Sequence, residues 1–143
     1  MNRPRTAFLL LQISIFLLGV SGSVYAAITP ADSMMHWYSN DDAFFYYKVA
    51  QNVLNGQGFS FDGINLSNGF HPLWMLVCLG IFWLSDYHLL LPLRVMILVS
   101  GVLNGITGIV LLRLLKKYLP LPAAVLGATV WILLPTWRLL LKK

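Results

Sequence analysis

From Thr6 to Ile28 the chain carries no charged side chain. As an α-helix rising about 1.5 Å per residue, this run would reach roughly 34 Å, enough to cross a hydrocarbon core of about 30 Å. Only 10% of the residues are charged and 58% are hydrophobic, whereas a soluble domain carries about 25% charged residues. The chain therefore lacks the polar material to coat a water-facing surface, and the expectation is an all-α membrane protein. A second reading of the first run stays open. Asn2-Arg3-Pro4-Arg5 has the form of a signal n-region, Ala7–Val20 of an h-region and Val24-Tyr25-Ala26 of a small-residue cleavage site. Both readings keep Arg3 and Arg5 in the cytoplasm and send the next segment outside.

The formal charge of +5 raises nucleic acid as a partner, but the basic residues flank hydrophobic runs. Arg3 and Arg5 precede the first, Arg113, Lys116 and Lys117 lie between later ones, and Arg138, Lys142 and Lys143 end the sequence. That is the placement of topology signals in a multi-pass plasma- or inner-membrane protein. No nucleic-acid partner is expected. The single cysteine, Cys78, excludes an intrachain disulfide and any cysteine-based zinc site.

Thr29–His71 is the long polar stretch. It holds Asp32, Asp41, Asp42 and Asp62, four of the five acidic residues, against Lys48. Connections are commonly about 4 to 6 residues long, and longer ones tend to be functional or disordered; the many aromatics here argue against disorder. Within the stretch Ser39 or Asn40 can cap a helix that carries Asp41 and Asp42 in its first turn and runs to Leu54, where Asn55-Gly56 stops it. Ala43, Tyr47, Ala50 and Leu54 share one face, suited to the membrane or to neighbouring helices. Phe59-Ser60-Phe61 is then extended or irregular, with a turn at Asp62-Gly63.

Pro72 suits the first position of a helix. Pro72–Leu84 is short for a span, and using Phe70 to Leu91 instead would draw Asp86 and His88 inward. Val95–Leu112 is a clearer span, with Gly101 and Gly105 forming a small-x-x-x-small pattern that lets helices approach closely. Ala123–Leu134 begins a further run, cut by Pro135 and ended by Arg138. Three to four spans are expected. Strict alternation would carry Arg113, Lys116 and Lys117 outside, against the positive-inside rule. Either Pro72–Leu84 is re-entrant or interfacial, or later helices override the bias.

The candidate catalytic residues are Asp41 and Asp42. Like charges held close raise one carboxyl pKa and make a better base near neutral pH. Neighbours on a helix point about 100° apart, so one faces a substrate while the other orients it or binds a cation. Without a substrate, two acids in a first turn simply complement the helix macrodipole. His71, where the chain returns to hydrophobic sequence, suits a phosphate contact, a metal or a proton relay, or caps the helix that Pro72 opens. His36, Asp86 and His88 read as interfacial or connecting residues. Trp37, Tyr38, Phe44, Phe45, Tyr46, Tyr47 and Trp74 offer stacking surfaces for sugar rings, a lipid groove, or an ordinary aromatic belt.

The stretch Asn40-Asp41-Asp42-Ala43-Phe44-Phe45-Tyr46-Tyr47-Lys48-Val49-Ala50-Gln51-Asn52, followed by Asn55-Gly56-Gln57-Gly58-Phe59 and Asn68-Gly69-Phe70-His71-Pro72-Leu73-Trp74, resembles the opening of the C-superfamily integral-membrane glycosyltransferases. This group contains the protein O-mannosyltransferases and the lipid A aminoarabinose transferase. The likeness covers roughly Thr6 to Pro135. It implies an N-terminal anchor, a first extracytoplasmic loop with an acidic pair and short juxtamembrane helices, then many spans. It further implies transfer of a sugar from a polyprenyl-phosphate donor, usually with inversion. Asp41 would be the general base for the acceptor hydroxyl, Asp42 would support that base or hold a divalent cation, and His71 would lie near the donor phosphate. Members are several times longer, so the chain is expected to correspond to an N-terminal fragment, inactive alone. Two other roles compete: a small scaffold docking a partner through the Gly101/Gly105 helix, and a transporter fragment. The latter is disfavoured by an acidic pair in a loop rather than at the bilayer midplane.

Overall fold

The structure, a computed structural model, describes residues 3–32, 34, 41–85 and 90–141, with residues 3, 4, 41, 42 and 135–141 described by backbone alone. Among the described residues five helices are found: α1 (Arg3–Ile28), α2 (Asp41–Leu54), α3 (Pro72–Leu84), α4 (Leu90–Leu115) and α5 (Leu121–Leu141). No strand forms among them; Ser60 and Leu66 make an isolated antiparallel bridge. The chain divides into two compact units, one joining α1 to everything from Ile97 onward, the other Thr29–Met96.

In the first unit α1 and α4 run antiparallel, as their contacts show in order. Lys116 Nζ lies 3.7 Å from the centre of the Phe8 ring, and Arg113 Nε donates to Gln12 Oε1 at 2.7 Å. Further along, Gly105 meets Phe16 and Gly19, and Gly101 meets Ser23. The glycines are there because the backbones nearly touch. A Cβ on Gly105 would sit 2.8 Å from Phe16 Cδ2 and 3.0 Å from the Phe16 carbonyl oxygen, and one on Gly19 would sit 2.8 Å from Gly105 Cα. Close approach of this kind is what small-x-x-x-small spacing permits. Gly101 and Gly105 thus pack on α1 of the same chain.

A tight turn closed by Lys117 N–H on the Leu114 carbonyl and Leu119 N–H on the Leu115 carbonyl sends the chain back as α5. Ile15, Leu112, Ala124, Ala128 and Ile132 are buried together at the join of the three helices. Asn104 adds a polar clamp: its Nδ2 donates to the Gly19 carbonyl at 3.3 Å and to the Ile132 carbonyl at 3.2 Å. An amide between helices can thus satisfy itself on backbone oxygens.

The helices of this unit are longer than the charge-free runs suggest. α4 begins at Leu90, not Val95, because Pro92 falls among the first residues of a helix, whose N–H groups have no intrahelical acceptor anyway. α5 continues past Pro135 to Leu141, so the proline does not cut the helix as expected. Among the described residues α1 and α4 are long and apolar enough to cross a membrane; the apolar part of α5, Leu121–Leu134, is shorter, although the whole helix of 21 residues would reach about 31 Å. At 13 residues α3 would reach only about 20 Å.

The second unit packs α2 on α3. Val49, Ala50, Met75, Cys78, Phe82 and Met96 form its buried core, with Tyr46, Tyr47, Leu54 and Trp74 partly buried against it. The expected inner face of α2 is therefore present and lies on α3. The opposite face of α3 is apolar and open, with Leu73 78% and Trp83 71% exposed.

Candidate functional site

The acidic pair opens α2: Asp41 and Asp42 are its first two residues, where negative charge suits the helix dipole. Their side chains lie outside the described residues, as do Ser39 and Asn40, the two expected caps of this helix. His36, Trp37, Tyr38, Asp86 and His88 also lie outside them. α2 ends as its sequence implies. Leu54 is the last helical residue, and Gly56 takes φ +78°, the left-handed conformation that lets the chain turn away.

After α2 the chain forms an ordered loop tied to the helix by a buried amide. Asn52, 1% exposed, donates from Nδ2 to the Ser60 carbonyl at 2.9 Å and the Phe61 carbonyl at 3.0 Å. The Ser60 hydroxyl donates to the Gln57 carbonyl at 2.9 Å, and Ser67 N–H to the Phe59 carbonyl at 2.7 Å. Rings hold the loop from outside: Phe61 stacks on Phe45 of α2 with centroids 5.6 Å apart, and Phe59 stacks on Phe70 at 5.2 Å.

The expected turn at Asp62-Gly63 is built by the aspartate itself. Oδ1 accepts from Ile64 N–H at 2.9 Å and Asn65 N–H at 2.8 Å, while Oδ2 accepts from Asn65 Nδ2 at 2.7 Å. These bonds, led by the Asn65 backbone N–H, hold the Asp62 carboxyl at a pKa of about 2, since each favours the ionised form. The folded value is depressed. The turn's contribution is therefore complete above the ordinary carboxyl value of about 3.9 and is lost as pH falls through about 2. Protection of the Ile64 and Asn65 amides, taken relative to the intrinsic exchange rate at each pH, should hold at neutral pH and fall toward pH 2, and Asp62→Ala should lack it at every pH. Exchange in the wild-type chain that shows no loss of protection between pH 4 and 2 would contradict this.

His71 stands at the N-cap position of α3 with φ −75° and ψ 118°, but its side chain makes no capping bond. Capping, one of the roles expected of it, is thus not performed by the imidazole, which is on an exposed residue. Instead the His71 backbone N–H donates to Tyr46 Oη at 2.8 Å. Tyr46 lies one helical turn after Asp42, and residues four apart share a helix face. The segment bearing the acidic pair and the segment bearing His71 are therefore joined through one phenol.

Tyr46 and Asn52 were not distinguished by the sequence as residues that build this site. Tyr46 is one of a run of aromatics and Asn52 one of several amides. Only the spacing of Asn52 from Asn55-Gly56, an amide within reach of a turning chain, hints at its role. The expectation of a divalent cation rests on Asp42, whose side chain is outside the described residues. Among those described, no three His, Cys, Asp or Glu side chains come together. No family model, no curated protein and no solved structure matches this chain.

Proposed function

We propose that the chain is part of a membrane glycosyltransferase of the C-superfamily type, which moves a sugar from a polyprenyl-phosphate donor to an acceptor hydroxyl on the extracytoplasmic side. The observation that carries this reading is the His71–Tyr46 bond together with the Asn52 clamp. Through them, and through the Gln57 N–H on the Asn52 carbonyl, the described residues of the three separated segments that resemble that superfamily, 41–52, 55–59 and 68–74, belong to one folded unit. In the proposed reaction Asp41 takes the proton of the acceptor hydroxyl as its oxygen attacks the anomeric carbon. The bond from that carbon to the phosphate oxygen breaks and polyprenyl phosphate leaves, inverting the centre. Asp42 orients Asp41 or holds a divalent cation, and His71 contacts the donor phosphate.

The membrane setting rests on the first unit. α1 exposes large apolar side chains on most of its surface, Leu9 at 55% and Leu17 at 60% among them, where the core helix of a water-soluble fold would bury them. With α1 and α4 antiparallel, Arg5 lies at the same end as Arg113, Lys116 and Lys117, the cytoplasmic end by the positive-inside rule. The acidic unit between them then emerges outside. α1, α4 and α5 are the proposed spans, and α3 stays at the interface. This arrangement keeps Arg113, Lys116 and Lys117 inside, whereas α5 as a third span carries Arg138, Lys142 and Lys143 outside against the same bias.

The experiment is transfer itself. Membranes carrying the complete reading frame that contains this sequence should form product from a polyprenyl-phosphate-linked sugar. The 143-residue chain alone should form none, because the likeness implies later spans that complete the donor groove. Absence of product from the complete frame with any lipid-linked sugar would refute the proposal.

A further inference from the structure

All five acidic residues fall within Thr29–Met96. Every Lys and Arg except Lys48 and Arg94 falls in the other unit, which therefore has no carboxylate side chain of its own. Its cations are not scattered. The antiparallel packing of α1 and α4 gathers Arg5, Arg113, Lys116 and Lys117 at one end, all four exposed.

Two of them are held by uncharged partners. Gln12, 6% exposed, fixes its amide by donating Nε2 to the Phe8 carbonyl at 3.2 Å. It thereby turns Oε1 toward Arg113, which gives up Nε to it at 2.7 Å. One edge of the guanidinium is thus used to orient the group, and the terminal N–H groups that make paired bonds to phosphate are not those engaged by Gln12. Lys116, three residues after Arg113, is the first residue past α4, its ammonium over the Phe8 ring, a contact that directs the charge without neutralising it. Both sit at the C-terminal end of α4, where the helix dipole favours positive charge.

We infer that this end of the α1–α4 pair binds the phosphate of an anionic phospholipid in the cytoplasmic leaflet, with Arg113 and Lys116 as ligands and Gln12 as the residue that positions Arg113. The inference rests on the membrane-spanning arrangement under Proposed function. An acidic lipid is the occupant because the cluster lies where α1 begins and α4 ends, which the spanning arrangement puts at the headgroups, and because a fixed positive charge in that layer draws anionic lipid out of a mixed bilayer.

The test uses the full chain reconstituted in phosphatidylcholine vesicles with and without phosphatidylglycerol. Spin-labelled lipids report the fraction held at the protein surface. The wild-type chain should select labelled phosphatidylglycerol over labelled phosphatidylcholine. Arg113→Gln and Lys116→Gln should each lower that selectivity about fivefold, the equivalent of about 1 kcal/mol per cation near the surface. Gln12→Leu, which removes no charge, should lower it by freeing Arg113. Lys142→Gln with Lys143→Gln, which removes two charges elsewhere, should leave most of it.

Equal selectivity in all variants overturns the inference, as does displacement by inorganic phosphate or by an oligonucleotide as effective as that by the acidic lipid. Extraction by alkaline carbonate separates the two claims. A chain that is washed out refutes the spanning arrangement, whereas one that stays inserted without selecting phosphatidylglycerol refutes the lipid site alone.

Discussion

Replacing Asp41 by Asn in the complete reading frame should lower sugar transfer by about 10²–10⁴-fold, the usual contribution of a positioned general base, while leaving membrane insertion unchanged. The substitution is chosen to spare the fold. Asparagine is tolerated at helix starts, and the lost dipole interaction of a first-turn acid is worth only about 0.3–1 kcal/mol. A purely structural Asp41 would therefore give a small, uniform loss of active enzyme. A base would give a fall in kcat with the KM for the lipid donor nearly constant, because the proton is taken only as the hydroxyl attacks. Asp42→Asn should act differently, with a smaller loss that added divalent cation partly restores. Wild-type rates in Asp41→Asn would remove Asp41 from the chemistry.

Gly105→Leu should separate α1 from α4. The first added carbon would meet Phe16 Cδ2 at 2.8 Å and the Phe16 carbonyl oxygen at 3.0 Å, and a backbone oxygen cannot rotate aside as a side-chain tip can. Overpacking a close contact costs about 1–3 kcal/mol and sometimes more. Here the remaining leucine atoms must also displace the join at which Asn104 bonds to the Gly19 and Ile132 carbonyls. A loss of about 3 kcal/mol or more is expected, read as a lowered thermal transition of the detergent-solubilised chain. Gly80→Leu is the control. Nothing lies within 4 Å of a Cβ at that position, and replacing a mid-helix glycine should be neutral or gain about 0.5–1 kcal/mol. Equal behaviour of the two variants would mean that the α1–α4 approach is not tight.

Local signals carried the secondary structure further than they carried the packing. Pro72 at the first helical position and Gly56 past the last turn of α2 marked real boundaries because each acts through its own backbone. Pro92 and Arg94 made α4 look shorter than it is: near a helix start a proline costs nothing, and an arginine can lie beyond the apolar layer. Pro135 reads as a break in the sequence, yet one missing N–H does not end a helix whose neighbouring residues continue it.

The pairing of helices was less legible. Gly101 and Gly105 announced that some backbone comes close, but the sequence holds nothing to say whether that backbone is α1 or another protein. The chemical residues were visible as residue types, and the scaffold was not. Tyr46 and Asn52 work through groups 25 and 8 residues away, and such contacts leave no periodic trace. The antiparallel order of Phe8, Gln12 and Phe16 against Lys116, Arg113 and Gly105 likewise emerges only when the chain is folded. It is also what brings the basic flanks to one end.

The two-sided arrangement can be measured directly with single cysteines introduced on a Cys78→Ala background and a membrane-impermeant maleimide. Ser67→Cys, in the loop between α2 and α3, should label in intact cells, whereas Tyr118→Cys, in the turn after α4, should label only once the membrane is opened. Labelling of both from the outside, or of neither until permeabilisation, would contradict a chain that carries its acidic unit across the bilayer and keeps its basic end behind.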